Sequence, residues 1–275
     1  MEQLDKEIRA AAVSETAVLR ILPEQSGSEI AARTGVSLHD VEGAALELDI
    51  LPQRYRRNWA ALQVAEQLLL HRSTVALAGL GGLGGYVLEL LARCGVGSIR
   101  GVDGDIFEPS NLNRQLLSGQ STLGQAKAEA AALRVEEINP AVAFSATLAT
   151  LDHDGFLQWL EGSDLVIDAL GGTRVRLALH RAAAELGLTV VSAAVAGATG
   201  VVATIAPGDA GLRALWTDEQ GAEEDMGCLP HGVAVLAGMQ SAEAVNILTG
   251  RGAALQGFMG ALDLNDFSWE RMEIG

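Results

Sequence analysis

Read by its alternation of apolar and polar positions, the chain falls into two parts. Residues 1 to about 57 give short helical segments. Within them SEIAARTGVSLHDVEGAAL (28–46) predicts a helix, a glycine-containing turn at Gly35 and a second helix capped by Ser37. From Thr74 the pattern changes. TVALAG is a short apolar run, GLGGLGG (79–85) a glycine turn, and YVLELLARCG an apolar-periodic helix closed by glycine. SIRGVD (98–103) predicts a second strand, GQAKAEAAALRVEEIN a helix stopped by Pro140, and AVAFSATL a third strand.

The alternation continues with a helix at HDGFLQWLEG, a buried strand at DLVIDAL and an amphipathic helix at TRVRLALHRAAAELG. LTVVSAAVAG and VVATIAP then predict two strands. After Pro207 a polar, acidic stretch to Pro230 shows no periodicity and is expected to be a surface loop, its part from 209 to 225 lying near the partner. GVAVLAGMQSAEAVNILTG (232–250) predicts a long helix and LQGFMGALDL a closing strand pair. Strand–helix repetition implies an α/β, Rossmann-like, mostly parallel sheet with helices on both faces, preceded by a small N-terminal helical arm (1–57) and occupying residues 58–275.

Composition narrows the function. With 19 basic against 35 acidic residues the formal charge is −16, which repels phosphate backbones and anionic lipid, so neither nucleic acid nor membrane is an expected partner. The helix–turn–helix spacing does not change this. Residues 1–50 hold only Lys6, Arg9, Arg20 and Arg33 against ten acidic side chains. Two cysteines, Cys94 and Cys228, build neither a disulfide framework nor a four-cysteine zinc site, and the N-terminus lacks the order of a signal peptide, so a cytoplasmic setting is expected.

The glycine turn sits between a strand and a helix, where backbone can approach a phosphate and the helix N-terminus can hold negative charge. This singles out Gly79, Gly81, Gly82 and Gly84. Asp103 ends the next strand, where an acidic side chain can accept hydrogen bonds from ribose hydroxyls. The loop Ser110-Asn111-Leu112-Asn113-Arg114-Gln115, followed by Lys127 at a helix start, supplies cations that can neutralise a triphosphate and its developing pyrophosphate charge. Hydride transfer requires no such cations. A nicotinamide-dependent dehydrogenase would also need an acid–base pair that the chain does not display.

RYRRN (54–58), GLGGLGG, CGVGSIRGVDGD (94–105), SNLNRQ (110–115), GQAKAEAA and AVLAGMQSAEAVNILTG (234–250) together resemble the ThiF/MoeB/HesA adenylyltransferases, relatives of the ubiquitin-activating enzymes. The resemblance spans about Gln53 to Leu264. It implies that the glycine turn, Asp103, Ser110 to Arg114 and Lys127 bind ATP, and that Arg57 reaches across a homodimer to the partner's phosphates. It also implies the reaction. The C-terminal glycine carboxylate of a ubiquitin-like sulfur-carrier protein with a Gly-Gly tail attacks the α-phosphate, giving acyl-adenylate and pyrophosphate. Arg114, Lys127 and Arg57 then carry the catalytic charge neutralisation.

Three departures stand out. The family's Asp-Asn after the fourth strand, whose Asp holds Mg²⁺, falls here on Gly171 and Gly172, leaving Asp168, or Asp105, as the carboxylate expected to take a magnesium ion. The two CxxC pairs of many relatives are missing, so zinc is not expected. The crossover-loop cysteine falls at Glu223, with Cys228 five residues later; Glu223, Glu224 and Asp225 beside Cys228 disfavour a reactive thiol, and Cys94 is expected to be buried and inert. The loss at Gly171 also admits a second reading, a nucleotide-binding adaptor that keeps the fold without making adenylate.

Overall fold

The computed structural model of the chain describes residues 2–209 and 226–274; most of the acidic stretch after Pro207, including Glu223–Asp225, lies outside them. The N-terminal part contains helices α1 (Glu2–Ala11), α2 (Glu24–Thr34) and α3 (Leu38–Glu47). Gly35 adopts φ +71° to end α2, and Ser37 caps α3 by accepting the Asp40 N–H at 3.0 Å, as the sequence predicts. The helices are not the whole of it. Strands β1 (Val13–Ser14), β2 (Arg20–Leu22) and β3 (Ile50–Pro52) form a three-stranded sheet whose two- and three-residue lengths are too short to show a period. Ile8, Leu22, Ile30, Val41 and Ile50 make a small core of their own.

This part is fixed to the rest by polar contacts. The rings of His39 and His71 stack with centroids 4.3 Å apart, and His39 Nδ1 lies 3.0 Å from the Ala141 carbonyl. Arg54 bonds Glu24, Glu42 and Asn139, and Asn139 Nδ2 donates to the Tyr55 hydroxyl at 2.9 Å. Helix α4 (Val64–Arg72), which the hydrophobic pattern does not announce, carries His71 and leads into the main sheet.

That sheet has eight strands: β4 (Thr74–Ala78), β5 (Ser98–Val102), β6 (Ala143–Thr147), β7 (Leu165–Asp168), β8 (Val190–Ala196), β9 (Thr199–Ile205), β10 (Phe258–Asp263) and β11 (Ser268–Glu273), in the spatial order β11-β10-β9-β8-β7-β4-β5-β6. From β6 to β8 every pairing is parallel; β9, β10 and β11 extend the sheet antiparallel. The intervening helices are α5 (Gly82–Cys94), α6 (Lys127–Ile138), α7 (His153–Leu160), α8 (Thr173–Glu185) and α9 (Pro230–Leu248). Because alternate strand residues face opposite sides, Val75 and Leu77 pack under α5 and α9 while Ala76 and Ala78 pack under α7 and α8. Helices cover both faces of the central strands β4, β7 and β8, which are buried as parallel strands require, while the edge strands β6 and β11 are largely exposed. The order runs from β4 to β5 on one side and to β7 on the other. The carboxyl ends of these strands therefore open a crevice at the point where the winding reverses.

Candidate functional site

A cleft of about 710 Å³ lies at that crevice. Its floor is the β4–α5 turn. Gly79 adopts φ +90°, and a Cβ there would sit 2.6 Å from the Ala169 carbonyl oxygen, so only glycine lets the turn pass this close to the end of β7. Gly81 and Gly82 line the cleft where α5 begins, presenting first-turn N–H groups and the positive end of the helix dipole. Asp103, just beyond β5, aligns this turn. Its Oδ2 accepts the Leu80 N–H at 2.8 Å and its Oδ1 the Asp105 N–H at 2.9 Å.

The opposite wall carries the cations. Arg114 lines the cleft and is held by donating to the Ser110 carbonyl at 3.1 Å and to Asn113 Oδ1 at 2.9 Å. Lys127, the first residue of α6, reaches the cleft with only 8% of its side chain exposed and pairs with Asp105 at 2.9 Å. Asn113 also lines the cleft and bonds the Cys228 carbonyl at 3.1 Å, which ties the SNLNRQ loop to the segment before α9.

The structure thus brings Gly79, Gly81, Gly82, Asp103, Ser110, Asn113, Arg114 and Lys127 together around one cleft. Gly84 and Asn111 are not among its lining residues. Gly84 lies inside α5 where a Cβ would stand 1.8 Å from the Gly79 carbonyl oxygen, so it shapes the turn rather than touching a ligand. Asn111 is buried and its Oδ1 accepts the Glu108 N–H at 3.0 Å, closing the loop from within. Arg57 is exposed, away from this cleft, with no hydrogen bond or ion pair among the described residues.

Asp168 stands differently from the expectation that it holds a metal. It is 0% exposed at the end of β7. Its Oδ2 lies 2.7 Å from both His180 Nε2 and Ser192 Oγ and 3.1 Å from Arg176, while its Oδ1 accepts the Leu170 N–H at 3.2 Å. Burial alone would raise its carboxyl pKa, but Arg176, His180 and Ser192 hold it below the usual carboxylate range. Oδ2 is taken up by three neighbours and Oδ1 by one, and the fully buried carboxyl is not among the residues that line the cleft; Gly171, which does line it, has no side chain to offer. Of the carboxylates that line the cleft among the described residues, Asp105 is the exposed one, its side chain 71% exposed.

Other cleft residues were less legible. Gln115 is buried in the wall beside Gly81, and its Oε1 has no partner among the described residues; its signal was its place in the SNLNRQ run. Thr150 and Leu151 enter because β6 lies next to β5, a topological fact with no local signature. Cys228 lines the cleft half-exposed, while burial pushes the Cys94 thiol up, in keeping with an inert position. No group of three or more potential metal-ligating side chains occurs among the described residues.

A model of the ThiF family matches residues 55–275. The chain is similar to a SAMP-activating enzyme E1 of Haloferax volcanii, 34% identical over 206 residues that cover 72% of this chain and 75% of that protein. It is similar also to a sulfur carrier protein adenylyltransferase of Thermus thermophilus, 32% identical over 234 residues, covering 80% and 86%. Among solved structures, E. coli MccB with ATP superposes with a TM-score of 0.72 at 17% identity over 92% of this chain and 80% of that one. PaaA superposes with a TM-score of 0.65 at 22% identity over 95% and 76%. These two likenesses speak to the fold.

Proposed function

Because the chain belongs to the ThiF family, we propose that its cleft binds ATP and transfers the adenylyl group to the C-terminal carboxylate of a ubiquitin-like sulfur-carrier protein. The observation that carries this reading is the convergence of a glycine turn, Asp103, Arg114 and Lys127 on one cleft at the switch point of the sheet. The enzyme is an adenylyltransferase.

Asp103 takes the ribose hydroxyls, and the start of α5 takes phosphate oxygens through backbone N–H groups. A carboxylate oxygen of the carrier's terminal glycine attacks the α-phosphorus. The bond from that phosphorus to the bridging oxygen breaks, and pyrophosphate leaves with the electron pair. The carboxylate is already ionised and needs no base, so the protein's work is to align two anions and neutralise the charge that builds on the leaving group. Lys127 and Arg114 supply that neutralisation. Magnesium needs only one or two protein oxygens beside phosphate and water; Asp105 would supply one of them, and the ion, when bound, would shield phosphate charge.

The finer features belong to the same proposal. The carrier ends in Gly-Gly, two copies of the chain form a homodimer, and the free Arg57 side chain serves the partner's phosphates. The chain divides near residue 57, with residues 1–57 as a docking unit and 58–275 as the adenylyltransferase domain. The enzyme works in the cytoplasm without zinc.

The test is ATP–pyrophosphate exchange with Mg²⁺, with and without carriers ending in Gly-Gly, beside Lys127→Ala. Carrier-dependent exchange that the substitution abolishes supports adenylation. ATP binding without exchange under any carrier favours the adaptor reading that the glycine at position 171 suggests.

A further inference from the structure

Four buried side-chain oxygens lack a partner among the described residues: Glu42 Oε2, Gln115 Oε1, Ser163 Oγ and Gln240 Oε1. Of these residues only Gln115 lines the nucleotide cleft. The two glutamines differ in what their amides do. Gln240 Nε2 donates to the Asp168 and Val191 carbonyls at 2.9 Å, which accounts for an amide at that place. The Gln115 amide makes no hydrogen bond at either end among the described residues, although the residue is only 7% exposed.

Its place is fixed by the chain around it. The Gln115 N–H donates to the Asn111 carbonyl at 2.9 Å, and its own carbonyl accepts the Ser118 N–H at 2.9 Å and the Ser118 hydroxyl at 2.7 Å. Two residues on, Leu117 packs into the core against Gly85 of α5. The loop therefore holds consecutive residues against consecutive glycines at the start of that helix. A Cβ on Gly82 would lie 4.0 Å from Arg114 Cγ, and one on Gly81 would lie 3.5 Å from Gln115 Nε2. Gly81 is the N-cap of α5 and brings no side-chain oxygen to the first-turn N–H groups, so this helix end stays open to an anion.

A buried amide oxygen without a donor destabilises a fold, and an apolar side chain of similar length would serve packing better. Packing therefore does not explain a glutamine here. We infer that Gln115 is a further phosphate-binding residue, its Nε2 donating to a phosphoryl oxygen of ATP seated at the start of α5. The inference rests on the reading of the cleft as an ATP site and adds a neutral donor to the cations Arg114 and Lys127. Phosphoryl oxygens only accept, so Nε2 is the end of the amide they take. The unpartnered Oε1 is the cost of keeping that donor in the wall. Because the triphosphate is held at α5 before attack as well as during it, the contact serves substrate and transition state alike and acts on ATP affinity rather than on turnover.

The test compares the full chain with Gln115→Met, which keeps the length and loses both polar ends, and with Gln115→Glu, which keeps the shape and replaces the donor by an acid. Without nucleotide, the Tm of Gln115→Met should be no lower than that of wild type, because the unpartnered oxygen is gone. In calorimetry without carrier it should bind ATP about tenfold more weakly, as losing one hydrogen bond to a charged group implies, while adenosine affinity holds. In pyrophosphate exchange KM for ATP should rise by the same factor and kcat should stay. Gln115→Glu should weaken ATP at least as much. Wild-type ATP affinity in Gln115→Met, or an equal loss for adenosine, overturns the assignment. Calorimetry and exchange separate the two readings: ATP bound without exchange, and bound more weakly by Gln115→Met, supports Gln115 and removes adenylation, whereas a wild type that binds no ATP removes both.

Discussion

Lys127 Nζ lies 2.9 Å from Asp105 Oδ2, and the two ends of this ion pair face different surroundings, the lysine 8% exposed and the carboxylate 71%. The Lys127 N–H also donates to the Asp105 carbonyl at 3.0 Å, so the start of α6 is fixed against the loop after β5. The acid keeps the buried ammonium paired when no nucleotide is present and remains open to solvent on its other side. Lys127→Ala should lower exchange by about 10²–10³-fold, the range for removing one charge-stabilising donor. Asp105→Asn should raise the Mg²⁺ concentration needed for half-maximal exchange. An unaltered magnesium dependence would remove Asp105 from the metal.

Two glycines of the same turn should fail in different ways. A Cβ on Gly84 would stand 1.8 Å from the Gly79 carbonyl oxygen, a backbone atom that cannot move aside. Gly84→Ala should therefore destabilise the protein by about 1–3 kcal/mol or more, read as a lower Tm. A Cβ on Gly81 would meet nothing closer than Gln115 Nε2 at 3.5 Å, an ordinary contact, but it would stand on the cleft wall. Gly81→Ala should keep its Tm and lose ATP affinity several-fold. Equal Tm values for the two variants would refute the distinction.

This pair also shows how far the sequence carries. Gly81 and Gly84 belong to one motif and cannot be told apart by spacing, because only the packing of α5 against β4 decides which one lines the cleft. Asn111 and Asn113 divide in the same way, one turned inward to Glu108 and the other outward to Cys228. The strand–helix alternation was legible because its periods are long enough to read, and Asp103, Arg114 and Lys127 stood out by their chemistry and line one cleft; that the cleft opens where the winding reverses follows only from the strand order. The three-stranded sheet of the N-terminal part was not legible, since two- and three-residue strands leave no alternation to read. Asp168 looked available because sequence shows a carboxylate after a buried strand; it does not show that Arg176 and His180 fold back onto it.

Glu42 should give the contact between the N-terminal part and the sheet domain a pH dependence. It is 3% exposed; Arg54 lies 3.2 Å from its Oε1, and Oε2 has no partner among the described residues. Burial pushes its carboxyl up to about 7 from an ordinary 4.5, with Arg54 opposing only in part. Between these values the folded state holds more proton than the unfolded one, so this group's contribution to stability falls as pH rises from about 4.5 to 7. His71, held near 4 by burial and by His39, contributes with the opposite sign but is common to wild type and variant. The Tm difference favouring Glu42→Gln should therefore grow across that window and level off above it. Parallel Tm curves at all pH values would contradict the assignment.

Asp168 is expected to act through stability rather than through magnesium. Its carboxylate is the counter-charge of Arg176, whose side chain is 5% exposed and also bonds Ser192 Oγ and the Ala193 carbonyl at 3.0 Å. Asp168→Asn keeps the shape but takes a buried carboxylate away from the Arg176 guanidinium, and should destabilise the protein by up to about 3–5 kcal/mol. Since its folded pKa is lowered, the stability it contributes is present above the ordinary carboxylate range and vanishes as pH falls through the folded value; the gap between wild type and variant should close in acid. Adding Arg176→Met to Asp168→Asn removes the buried cation as well and should recover part of the loss. The measurement is denaturant unfolding of all three proteins beside their magnesium titrations. A single variant with wild-type stability and a shifted magnesium requirement would return Asp168 to the metal, whereas a destabilised variant with an unshifted requirement fixes it as the anchor that holds the start of α8 to the ends of β7 and β8.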